Sequence, residues 1–143
     1  MRVRARLLVP AVVALLLPLS LTSTAQADAP QILAGSCEAP NFCLFENNDF
    51  NQGNTNHWRD ITHRDNDFRG NHWRDGNGRL TDDDMNDETS SVKNRTGVSV
   101  CLYQNPNYTG NRSGFPDGSD DGYLANNRIG DNSASSAEFA LCR

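Results

Sequence analysis

The chain repeats itself, and the repeat limits what it can fold into. Cys43-Leu44-Phe45-Glu46-Asn47-Asn48-Asp49-Phe50 matches Cys101-Leu102-Tyr103-Gln104-Asn105-Pro106-Asn107-Tyr108, and each copy soon reaches a glycine, Gly53 or Gly110. Further on, Asn86-Asp87-Glu88-Thr89-Ser90-Ser91 matches Asp131-Asn132-Ser133-Ala134-Ser135-Ser136. Two units of about 45 to 60 residues cannot each bury a face alone, so they must pack on each other. The break between them falls at the turn-like Asn94-Arg95-Thr96-Gly97.

No segment beyond residue 27 carries a convincing 3.6-residue apolar period. Short β-prone runs stand instead between Asn, Gly, Asp and Pro: Phe42 to Phe45, Ser90 to Lys93, Val98 to Tyr103 and Ser135 to Leu141. Val98, Val100 and Leu102 alternate with Ser99, Cys101 and Tyr103, and Ala137, Phe139 and Leu141 alternate on the closing run. Short strands with turns at close intervals predict a two-sheet all-β sandwich. The first unit spans about residues 42–94 and the second about 98–143, and between its two repeated segments the first carries a dozen or so more residues than the second. The excess is placed at about 57–79, where Asn56-His57-Trp58-Arg59-Asp60 recurs as Asn71-His72-Trp73-Arg74-Asp75. It is read as an exposed loop.

The chain opens with Arg2, Arg4 and Arg6, an apolar stretch from Leu7 to Leu19, and the small-x-small triplet Ala25-Gln26-Ala27. That is the pattern of a secretory signal peptide over residues 1–27, leaving a single exported domain at 28–143. Four cysteines in an exported chain read as a disulfide framework. Of the three pairings they allow, the preferred one closes a short loop with Cys37 and Cys43 and joins Cys101 to Cys142. The second bridge would close about 40 residues, worth roughly 4 kcal/mol in the chain-entropy model. Removing residues 1–27 leaves ten basic against eighteen acidic residues, a net charge of −8. Such a surface argues against nucleic acid and anionic membranes as partners and suits cations or basic proteins.

The repeated arrangement resembles the βγ-crystallin motif. Tyr103, Tyr108 and Gly110 match its first signature, two spaced aromatics and then a glycine that permits positive φ at a folded-over hairpin. The first unit departs from this, because two residues separate Phe50 from Gly53. Its second signature, Asx-Asx-x-x-(Ser/Thr)-Ser, is the calcium clamp of microbial members, and both hexapeptides satisfy it. The resemblance implies a sandwich of two intertwined Greek keys. It implies Ca2+ held by side chains of Asn86, Asp87, Asp131 and Asn132, backbone carbonyls of Glu88 and Ser133, and hydroxyls of Ser90 and Ser135. Each ion would be shared between the two loops. Calcium takes six to eight oxygens at about 2.3 to 2.6 Å in flexible geometry, which Asx- and Ser-rich loops can supply. With few formal charges per loop, affinity is expected on the order of micromolar to millimolar. Ser91 and Ser136 are read as structural, bonding the folded hairpins. Glu46 and Gln104, just after the first aromatics, could each add a carbonyl.

The opening Cys37-Glu38-Ala39-Pro40-Asn41-Phe42-Cys43-Leu44-Phe45 is similar to the start of secreted bacterial proteins of peptidase inhibitor family I36. That resemblance implies inhibition of a secreted metalloprotease, with no reactive-site residue carried over. No nucleophile, base and orienting acid stand in a recognisable setting, so no enzyme is expected. His57, His63 and His72 could form a transition-metal site, but histidines in a polar loop are more often solvated and are read so. Trp58 and Trp73 are read as packing the excess segment onto the sandwich, with a carbohydrate- or surface-binding platform as the alternative. Asp82, Asp83 and Asp84 are read as a solvated acidic loop near the first clamp. The leading expectation is a monomeric, secreted calcium-binding domain.

Overall fold

A computed structural model describes residues 35–143; the expected signal peptide lies outside them. The strands are β1 (Phe42–Phe45), β2 (Trp58–Ile61), β3 (His72–Arg74), β4 (Leu80–Asp84), β5 (Ser91–Asn94), β6 (Val100–Asn105), β7 (Thr109–Phe115), β8 (Asp120–Asp121) and β9 (Ser136–Glu138). They form two sheets, ordered β4-β3-β2-β1-β5-β8 and β7-β6-β9. The architecture is an all-β sandwich, as expected.

The two units exchange their third strands. β8, from the second unit, pairs with β5 of the first through Val92↔Asp121 and Lys93↔Asp120. The return exchange is reduced to a bridge between Asp65 and Ala137, with Phe68 N–H also donating to the Ser135 carbonyl at 2.8 Å. The six-stranded sheet thus takes a strand from each unit, and the three-stranded sheet, built from the second unit, takes only the Asp65 bridge from the first.

Period-two alternation sets the core. Phe42 and Leu44 of β1 and Val100 and Leu102 of β6 are buried in one cluster with Phe68, Trp73, Met85 and Val92. Their outward neighbours are covered locally and equivalently. Cys43 is bonded to Cys37 and Cys101 to Cys142. Phe45 is packed edge-on by Phe50, and Tyr103 by Tyr108, each with ring centroids 5.8 Å apart. Both second aromatics sit at left-handed φ, 58° for Phe50 and 59° for Tyr108. The hairpin fold-over therefore survives the first unit's departure from the glycine spacing. A Cβ on Gly110, at φ +83°, would come within 2.7 Å of Asn105 Nδ2, so this turn admits only glycine without a shift.

Three readings need correction. Stretch 57–79 is no exposed loop: it supplies β2 and β3, and Phe68 and Trp73 within it are fully buried. Asp82, Asp83 and Asp84 belong to strand β4, where Asp84 accepts hydrogen bonds from the backbone N–H of Gly70 and Asn86. The two terminal runs are shorter than expected. Val98 and Leu141 lie outside β6 and β9 and are exposed, because the sandwich closes before it reaches them.

Candidate metal centre

The hexapeptides at 86–91 and 131–136 each lead into the closing strand of a unit, β5 or β9. Since those strands lie in opposite sheets, the loops before them meet at one end of the sandwich. Their contacts are reciprocal. Asp87 N–H donates to the Ala134 carbonyl at 3.0 Å, and Asn132 N–H to the Thr89 carbonyl at 3.1 Å. Ser135 Oγ donates to Asp87 Oδ1 at 2.8 Å, and Ser90 Oγ to Asn132 Oδ1 at 3.0 Å. The second Asx of each loop thus faces the fifth-position serine of the other. Both Asx residues sit at left-handed φ, 60° and 49°, which short polar side chains tolerate.

Burial repeats position by position. Asn86 and Asp131 are half-buried, Asp87 and Asn132 exposed, Glu88 and Ser133 half-buried, and the last three residues of each loop buried. The final serines lock the folded hairpins in matching ways. Ser91 Oγ donates to the Asn47 carbonyl and accepts from Phe50 N–H; Ser136 Oγ donates to the Asn105 carbonyl and accepts from Tyr108 N–H. These two positions act structurally, as their sequence suggested.

Oxygen is left over at the meeting of the loops. Asn86 Oδ1 and Asp131 Oδ1, at equivalent positions, are buried with no hydrogen-bond partner. The carbonyls of Glu88 and Ser133 accept no hydrogen bond from any described residue. An orphaned buried acceptor costs about 1–3 kcal/mol, so equivalent orphans in two loops call for a donor or a cation. Neighbouring oxygens of a seven-coordinate calcium shell at about 2.4 Å lie roughly 2.8 Å apart. The Ser–Asx spacings of 2.8 and 3.0 Å, ordinary for hydrogen bonds, are compatible with that as well. The donor set is hard oxygen throughout, which suits Ca2+ and not a nitrogen- or sulfur-seeking ion.

One contact at the site was not legible in the sequence. Trp73 Nε1 in β3 donates to Glu88 Oε2 at 2.9 Å, tying the additional strands to the first loop. The only available signal was the echo of Asn-His-Trp-Arg-Asp, whose two copies turn out to be adjacent antiparallel strands with Trp58 opposite Arg74. Trp73, fully buried, has no face to offer a sugar, so the two-tryptophan platform is not formed. Nor do the three histidines gather. His57 meets Glu46 and Asp83, His63 lies against Thr62, and His72 stands in β3.

The family model described as peptidase inhibitor family I36 matches residues 31–115. No match was found among curated proteins. Among solved structures, one reported under the evolution of the eye lens βγ-crystallin domain fold aligns with TM-score 0.57 and 22% identity over 79% of this chain and 97% of its own. A βγ-crystallin from an archaeon aligns at TM-score 0.51 and 20% identity, covering 71% of this chain and 99% of its own. A βγ-crystallin from Ciona intestinalis aligns at 0.52 and 15%, covering 69% and 98%. At these identities the likeness establishes the fold alone.

Proposed function

The chain belongs to peptidase inhibitor family I36, and from that premise we propose that it is a secreted, non-enzymatic βγ-crystallin-type domain that binds calcium between its two Asx-rich loops. One observation carries the reading: the Asp87–Ser135 and Asn132–Ser90 pairs are reciprocal and stand beside the orphaned oxygens of Asn86 and Asp131. In one ion site Asp87 and Ser135 supply side-chain oxygens, and in the other Asn132 and Ser90 do so. Asn86 and Asp131 add their free oxygens, and Glu88 and Ser133 their carbonyls. Because every site draws on both units, an ion held there clamps the sandwich at the end where the units meet.

Export is supported by the residue 1–27 pattern and by two disulfides, which persist in oxidising compartments. No described helix is long and apolar enough to cross a membrane.

Calorimetric unfolding in EDTA and then in millimolar calcium tests the clamp. A ligand bound only by the folded state raises stability by about 2.7 kcal/mol at 100 times Kd. The midpoint should rise in the wild type and stay fixed in an Asp87→Ala, Asn132→Ala double variant. A wild-type midpoint indifferent to calcium would remove this reading.

Family membership favours a second activity, inhibition of a secreted peptidase. It predicts a stoichiometric complex with an extracellular protease, visible by size-exclusion chromatography alongside loss of proteolysis. A panel of secreted metalloproteases cleaved and inhibited no differently from controls would count against it.

A further inference from the structure

Glu46, just after β1, His57, just before β2, and Asp83, in β4, converge through side-chain atoms that the calcium loops do not use. His57 Nδ1 lies 2.7 Å from Glu46 Oε2 and 3.7 Å from Asp83 Oδ2, and the three ligand atoms lie within 4.8 Å of one another. We propose that this triad is a second metal site, distinct from the calcium clamp, for a divalent transition-metal ion of the zinc class.

The argument begins with charge. Two carboxylates face a single imidazole nitrogen, and neither pairs with a lysine or arginine among the described residues. A neutral imidazole offers that nitrogen either one lone pair or one proton. A proton there can serve Glu46 but leaves Asp83 to solvent, whereas a divalent cation engages both carboxylates and takes the lone pair.

Geometry agrees. A tetrahedral zinc with bonds of about 2.0–2.2 Å separates its ligand atoms by roughly 3.4 Å. The two separations from His57 fall on either side of that value and the third lies within 4.8 Å, so side-chain torsions need move the ligand atoms by only on the order of an ångström. The supports are held by backbone: His57 N–H donates to the Arg74 carbonyl at 2.7 Å, and Glu46 N–H to the His57 carbonyl at 3.1 Å. Asp83 sits in β4. The side chains of His57, Glu46 and Asp83 keep 28%, 30% and 45% exposure, so an ion can enter and water can complete its shell. One imidazole nitrogen and two carboxylate oxygens are a borderline donor set, favouring zinc over calcium.

The test uses the whole protein in saturating calcium, with Zn2+ titrated against a chromophoric chelator. The wild type should take one equivalent of zinc that calcium does not displace. His57→Asn, chosen because asparagine tolerates the left-handed φ of 57° at this position, should weaken zinc binding at least tenfold with the circular dichroism spectrum intact. Asp83→Asn, on an edge strand, should weaken it less, and His63→Gln not at all. Failure to compete with the chelator, equal binding by wild type and His57→Asn, or displacement of zinc by calcium would each overturn the proposal.

Discussion

Asp87 and Asn132 occupy equivalent positions but differ by a full charge, while Asn86 and Asp131 differ by one in the opposite sense. Electrostatic attraction for a divalent ion grows with ligand charge count. In calcium titrations followed by calorimetry, Asp87→Asn should therefore weaken the site it serves by about tenfold or more, whereas Asn132→Asp should strengthen the other. Tyr103 makes a separate prediction. Burial first, and then its hydrogen bond to Glu138 at 3.1 Å, raise its phenol pKa above the usual value of 10.0. Between that value and the raised one the folded state holds a proton the unfolded chain has lost, so stability falls as pH rises through this window. Tyr103→Phe should flatten the decline in melting temperature above pH 10. At this scale the sequence was informative where residues repeat. Asx and serine positions align in both loops, and Ser91 and Ser136 announced their hairpin role. The orphaned state of Asn86 and Asp131 was not legible, since it depends on which groups of the opposite loop are already taken.

At the scale of elements, β3 and β4 are what the second unit lacks, and Trp73 is their connection to the site. Its ring is buried in the shared core while its Nε1 holds the Glu88 carboxylate at the far side of the first loop. Trp73→Phe keeps most of the apolar contact but removes that bond. A hydrogen bond to a charged group is worth about 1.5–3 kcal/mol, and Glu88 is only half-buried, so a loss of about 1–2 kcal/mol is expected in urea unfolding. Calcium affinity should drop as well, because the Glu88 backbone, a proposed ligand, is then less firmly placed. A variant that loses stability but keeps its calcium affinity would show that the strands support the fold without tuning the loop. These strands escaped the sequence reading for physical reasons. β4 reads Leu-Thr-Asp-Asp-Asp, with its leucine mostly exposed, because an edge strand needs charge to deter edge-to-edge pairing. β3 is three residues long and too short to show a period. By contrast β1 and β6, buried at every core position, stood out from their surroundings.

The whole molecule is held by exchange between units and by two covalent links of very different reach. Cys37 and Cys43 are six residues apart, Cys101 and Cys142 forty-one. The pairing agrees with the preferred one of the three the cysteines allowed. Constraining the unfolded chain stabilises more when the loop is longer: about 2 kcal/mol for the short loop and about 4 kcal/mol for the long one. The long bridge also ties the end of the chain to β6, the central strand of a sheet of only three. Cys101→Ser with Cys142→Ser should therefore lower the melting temperature well beyond Cys37→Ser with Cys43→Ser. Calcium and the long bridge further oppose the same event, separation of the second unit's closing segment from the rest of the sandwich. If both act on that opening, saturating calcium should recover more of the melting temperature in the 101/142 variant than in the 37/43 variant at equal excess over Kd. Equal recovery in the two variants would mean that unfolding is all-or-none from either end, with the clamp and the bridge adding as independent terms.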